Sequence, residues 1–232
     1  MLQIDTLVTE VAEQMAAEEP VVEAAQEINL WTMASYGGWI MIVLAILLAG
    51  AIYLFIERMV VLHSAMQEDK NFMNRIKDFI HEGKIDSALN LCHTSETPTA
   101  RMIEKGITRI GRPMQDVQVA VENVGNLEVS KLEKGLVIMA TIAAGAPMLG
   151  FLGTVLGMVQ TFYNMAQNAS GVIEMAALSE GMYQAMVTTI GGLIVGILAM
   201  FAYNFLVARI DRVVRSLEGR TMEFMDLLNE PA

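Results

Sequence analysis

The sequence predicts an all-α membrane protein with three transmembrane helices and long cytoplasmic helical extensions, the N-terminus outside and the C-terminus inside. Three observations predict it. First, the windows 28–56, 135–173 and 181–208 carry no Asp, Glu, Lys or Arg. Each exceeds the roughly 20 residues that cross a bilayer as a helix. Second, all 15 Lys and Arg fall in the stretches 58–134 and 209–220. Basic loops stay in the cytoplasm, so these two regions are inside and the N-terminus is outside, as an odd number of spans requires. Third, apolar residues at helical spacing run on beyond the charge-free windows. The composition agrees: 54% hydrophobic residues and a mean hydropathy of +0.45 are too apolar for an ordinary soluble domain.

Residues 1–30 form a segment outside the membrane. Ile4, Leu7, Val8, Val11 and Met15 share one helical face, opposite an acidic one, and Pro20 limits the helix. This predicts an amphipathic helix at the outer membrane surface, with contact to a partner protein as the alternative. Seven acids and no bases precede the first span, unlike the positively charged start of a secretory signal. The first span occupies residues 31–57, with its apolar core at 36–56. Trp31, Tyr36 and Trp39 crowd its outer end as an interfacial aromatic belt, and Glu57-Arg58 closes it inside as a charge pair at the membrane edge.

Residues 58–134 are a cytoplasmic helical region. Phe72, Ile76, Phe79 and Ile80 are helically spaced, and a second short helix over 85–92 turns Ala88, Leu89 and Cys92 inward. Thr97-Pro98 reads as an N-cap followed by proline at the first helical position. From Asp116 the pattern Val117, Val121, Val124, Leu127 meets no breaker but isolated glycines, so the second transmembrane helix is expected to start deep in the cytoplasm. About fifty residues at ~1.5 Å each give a rod of about 75 Å. The second span is 135–166, a short outer link covers 167–180, the third span is 181–208, and a cytoplasmic helix through Val213, Val214 and Leu217 fills 209–232.

Small residues dominate the second and third spans. Gly150, Gly153 and Gly157 recur at helical spacing, and Gly153 and Gly157 form a GxxxG pair, which lets helix backbones approach closely in lipid. Pro147 favours a kink. Thr154 and Thr161 lie seven residues apart on one face. In the third span Ala185, Thr189, Gly192, Gly196 and Ala199 form one small, partly polar face. On spacing alone, Thr154 and Thr189 are equally consistent with a wet path and with helix contacts. The small faces predict association between copies.

Ala-Pro-x-Leu-Gly-x-Leu-Gly-Thr-Val-x-Gly-Met, read from Ala146 to Met158, and the block from Gly181 to Leu193 resemble the second- and third-helix signatures of the MotA/TolQ/ExbB proton-channel family. The resemblance is strongest to the ExbB and TolQ branch and runs from about Gly37 to the end. It implies a homopentamer around a central pore. It implies an ExbD-like partner dimer, whose single-span helices supply a pore carboxylate, and coupling to a TonB-like protein in the inner membrane of a bacterium. A TolQ-like role in envelope integrity is the alternative within the family, and a non-conducting membrane scaffold the alternative outside it. By the resemblance Thr154 and Thr189 are pore threonines, and Thr161, Gln184 and Ala185 line the same path. Gln184 stands where ExbB and TolQ chains commonly carry a glutamate. It hydrogen-bonds but cannot carry a proton.

Other chemistry finds little support. A net charge of −11 argues against nucleic acid as a partner. His63, His81 and His93 are scattered without a nucleophile to pair with, and no P-loop is present, so no catalytic residues are assigned. Cys92 is expected as a reduced thiol, and with His93 it makes no metal set; neither metal nor cofactor is expected. The energy source is then an ion gradient, worth roughly 2.3 kcal/mol per charge across 100 mV. The three charge-free windows also lack His, so the chain alone is not expected to conduct protons efficiently.

Overall fold

The computed structural model describes residues 37–66, 69, 71–167 and 175–229. The amphipathic N-terminal segment, Trp31, Tyr36 and much of the link between the second and third spans lie outside the described residues. Within them the chain is almost wholly helical: α1 Gly38–Ala65, α2 Phe72–His81, α3 Ile85–Thr94, α4 Pro98–Ile107, α5 Met114–Glu133, α6 Leu136–Gln167 and α7 Met175–Asn229. Three helical stretches there, α1, α5–α6 and α7, are long and apolar enough to cross a membrane.

The spans pack as a bundle in which α6 and α7 run together along their length and α1 lies against both. Their outward faces stay apolar: Ile42, Ile46, Phe151, Phe162, Ile197 and Phe201 are all exposed. A soluble segment would hide such residues, whereas a membrane span presents them to lipid or to neighbouring helices.

α2 to α5 build a compact body at one end of the spans. Thr97 caps α4 as expected, its hydroxyl accepting from the Ala100 N–H at 3.3 Å, with Pro98 opening the helix. Ile76, Cys92, Ile103 and Val121 close the core of this body. The far half of α7 completes it. Phe224 is fully buried, and its ring lies against Gly106, where any side chain would collide with it. α7 is one unbroken helix of 55 residues, about 83 Å at ~1.5 Å per residue. It ties the membrane bundle and the body into one piece.

The second rod departs from expectation. It is two helices, because Lys134 is extended (φ −55°, ψ 128°) and Gly135 takes φ 88°, a left-handed conformation that glycine adopts without steric cost. The break has a partner in α1. Arg58 Nη1 donates to the Lys131 carbonyl at 3.3 Å, one of the carbonyls a helix end leaves open, while Nη2 pairs with Glu57 at 2.7 Å. Glu57-Arg58 is thus more than an edge marker, since it holds the end of α5. The same level is marked on α7, where Arg209 stacks over Phe205 at 5.2 Å and Phe205 packs on Phe55 at 6.1 Å. α1 continues past this level to Ala65, further than the apolar window alone suggested.

A buried carboxylate that the sequence did not single out joins the same corner. Glu128 on α5 accepts from Arg101 Nη2 of α4 and from Lys131 Nζ, both at 2.6 Å. Burial alone would raise its pKa, but the hydrogen bonds and charges of Arg101 and Lys131 outweigh that and hold it below the ordinary carboxylate range.

Candidate functional site

The family-like residues meet along the seam between α6 and α7. Gly150, Gly153, Gly157 and Thr161 of α6 face Gly192, Thr188, Ala185 and Gly181 of α7 in antiparallel register. The approach is backbone to backbone. A Cβ placed on Gly192 would fall 2.6 Å from the Ala146 oxygen and 2.7 Å from the Gly150 Cα; one on Gly150 would fall 2.9 Å from the Thr188 oxygen. No carbon sits that close to such atoms, so glycine is required on both sides. Pro147 leaves the Ala143 carbonyl without its helical N–H, and Gly196 comes against both the proline ring and that carbonyl.

Hydroxyls line the seam. Thr189 donates across it to the Gly150 carbonyl at 3.2 Å. Thr188 is buried and returns its proton to the Ala185 carbonyl at 2.7 Å, and Thr161 bonds the Gly157 carbonyl at 2.8 Å. Thr154 is half-buried and bonds back to the Phe151 carbonyl at 2.6 Å. Nineteen residues separate Thr154 from Gly135 and twenty separate Thr189 from Arg209. At ~1.5 Å per residue both hydroxyls sit about 30 Å along their helices from the level of Gly135 and Arg209.

The sequence-derived residues therefore divide. Gly150, Gly153, Gly157, Gly192, Gly196 and Pro147 are in the seam. Ala185 and Thr161 are buried there too, and Thr161 also reaches the cleft at the end of the seam. The close approaches that these small residues make lie within this chain, between α6 and α7. Gln184 is exposed, its Nε2 against Gly38 of α1. It lines a cleft of about 490 Å³ between the ends of α1, α6 and α7, together with Gln160, Asn164 and Glu180. Spacing found the seam, whereas the cleft needs two antiparallel helices placed side by side.

Elsewhere the body holds no comparable chemistry. No group of three or more His, Cys, Asp or Glu is placed to bind a metal among the described residues. The Cys92 thiol is buried, and burial first, with the nearby Glu104 charge, pushes its pKa up to about 12, so it is a protonated packing residue.

Residues 94–219 match the MotA/TolQ/ExbB proton channel family. A putative biopolymer transport protein ExbB homolog of Methanothermobacter thermautotrophicus is 34% identical over 143 residues, 62% of this chain and 50% of that protein. The biopolymer transport protein ExbB of Aquifex aeolicus is 41% identical over 80 residues, 34% of this chain and 53% of that protein. The Tol-Pal system protein TolQ of Haemophilus influenzae is 25% identical over 190 residues, 77% of this chain and 82% of that protein. The chain spans about half the length of the first two relatives. The match takes in more than half of this chain, including the whole α6–α7 seam, in a protein with three apolar, membrane-length helical stretches. This chain is therefore a multi-pass membrane protein that belongs to the MotA/TolQ/ExbB proton channel family.

Proposed function

We propose that the chain is the multi-span subunit of an ExbB-type proton channel in a bacterial inner membrane. Five copies would surround a central pore, with N-termini outside and the α2–α5 body inside. A dimer of ExbD-like single-span helices would occupy the pore, and the assembly would use the proton-motive force to energise a TonB-like protein for outer-membrane uptake. The observation that carries this reading is the contrast within the spans. The signature residues build a tight hydroxyl-bearing seam, yet no Asp, Glu, His or Lys lies in windows 28–56, 135–173 or 181–208. An intramembrane proton path generally needs such a group, so a partner helix must bring it.

Thr154 and Thr189 then have a defined task. At the same depth, their hydroxyls would solvate the partner's carboxylate and help it exchange its proton with the two aqueous sides. Thr161 and Ala185 serve by keeping α6 and α7 in register. One observation favours a second reading, a TolQ-like role in envelope integrity: the similarity to TolQ of Haemophilus influenzae extends over 77% of this chain. Both readings require the same channel chemistry.

The test is proton uptake into liposomes holding the chain with its partner, followed with an entrapped pH dye. Thr189→Val and Thr154→Val keep side-chain shape and remove the hydroxyl. Flux is expected to fall at least tenfold while the complex still assembles. Full flux in both variants would refute the assigned role.

A further inference from the structure

The cleft between the ends of α1, α6 and α7 opens off the end of the seam, where Gly157 and Thr161 also line it, and its polar rim has a chemistry of its own. Gln160 lies 25 residues beyond Gly135 and Gln184 25 residues before Arg209. Asn164 and Glu180 are each 29 residues from the same two markers. At ~1.5 Å per residue the pairs sit about 38 and 44 Å from the body-side membrane edge. The hydrocarbon core is ~30 Å thick and the whole bilayer ~40–45 Å, so this cleft opens at the far headgroup level. Trp39, 66% exposed, stands at its rim in the position of an interfacial aromatic.

The polar groups there are matched to one kind of headgroup. Gln160 Nε2 gives one hydrogen to Asn164 Oδ1 at 3.1 Å. Its second hydrogen, with the amide hydrogens of Asn164 and Gln184, forms a set of neutral donors suited to phosphate oxygens. Among the described residues Glu180 is the one acidic side chain of the lining, which holds no basic one. All Lys and Arg of the chain lie in 58–134 and 209–220, and none lines the cleft among the described residues. Such a site repels a headgroup with net negative charge and offers a carboxylate to a primary ammonium.

We propose that this cleft binds the headgroup of an ethanolamine phospholipid, the amides on its phosphate and Glu180 on its ammonium, with the acyl chains along the exposed apolar faces. The site depends only on the chain's crossing the membrane, not on ion conduction. A charge-assisted hydrogen bond contributes ~1.5–3 kcal/mol. In a half-open cleft the lower end applies, about a tenfold preference.

Native mass spectrometry of the delipidated full chain tests this, with ethanolamine, choline and glycerol phospholipids of identical acyl chains. The ethanolamine lipid should be retained about tenfold above the other two. Choline, a cation that cannot donate hydrogen bonds, separates ammonium recognition from simple charge. Glu180→Gln should bring ethanolamine lipid down to the choline level, and Glu180→Asp should keep the preference, which excludes misfolding as the cause. Equal retention of the three lipids, a preference for the glycerol lipid, or an unchanged preference in Glu180→Gln would overturn the proposal.

Discussion

Replacing Gly192 by alanine adds one methyl group, and the structure says what that methyl meets. Its carbon would lie 2.6 Å from the Ala146 oxygen, 2.7 Å from the Gly150 Cα and 3.0 Å from the Gly150 nitrogen. Ordinary contacts begin near 3.4 Å, so α6 and α7 must separate by several tenths of an ångström. All three atoms are backbone, and no side chain can swing aside. Overpacking of this kind costs ~1–3 kcal/mol, and the upper half of that range applies where nothing can yield. The separation also stretches the 3.2 Å bond from Thr189 to the Gly150 carbonyl, worth ~0.5–1.5 kcal/mol. The sum is a loss of about 2.5–4.5 kcal/mol. Gly145 supplies the control, being on the partner helix α6 with nothing within 4 Å of its would-be Cβ. There alanine should be neutral or stabilising by up to ~1 kcal/mol through helix propensity. Unfolding of purified chains in mixed micelles measures both. Equal stability of the two variants would refute the idea that the seam is a backbone contact.

Other consequences can be checked on the body. Arg101→Ala should destabilise by ~1–3 kcal/mol, more than Glu128→Gln, because it leaves the buried carboxylate with Lys131 as its one remaining cation while the glutamine removes the buried charge itself; denaturant titration ranks them, and the reverse order would contradict this. Since the Glu128 pKa is depressed on folding, its contribution is present above the unfolded carboxylate's ~4.3 and fades as pH falls through the lower folded value; acid unfolding of Glu128→Gln should lack that part. Cys92 should react with maleimide at pH 8 at least a hundredfold more slowly in the folded chain than in denaturant, as a buried thiol titrating at about 12 requires. Equal rates would show that the body does not close around it.

Much of this arrangement was legible in residue order. Charge-free windows located the spans, Thr97-Pro98 located the start of α4, and the unbroken pattern beyond Arg209 foretold the length of α7. The small residues identified the seam because glycine spacing survives translation into a helix face. Spacing says which side of a helix is small, however, and not whose backbone approaches it; only the structure shows that α6 and α7 of one chain meet there. Gly135 was passed over for a related reason. A glycine is compatible with helix continuation and with a left-handed break, and what accompanies the break is Arg58, far away in sequence, on the Lys131 carbonyl. Glu128 looked like one more charge on an amphipathic helix until Arg101 was placed beside it. The cleft left a faint trace, the equal offsets of Gln160 and Gln184 from Gly135 and Arg209. Those offsets carry meaning only once the two helices are known to be antiparallel and level.

The central claim is that this subunit shapes a proton path whose carrier group comes from a partner. Proton uptake into liposomes under an imposed membrane potential tests it most directly, comparing the chain alone with the chain co-purified with its single-span partner. The account predicts leak-level uptake for the chain alone, at least tenfold greater uptake for the complex, and a return to leak level when the partner's intramembrane carboxylate is changed to its amide. Uptake by the chain alone at the rate of the complex would contradict it.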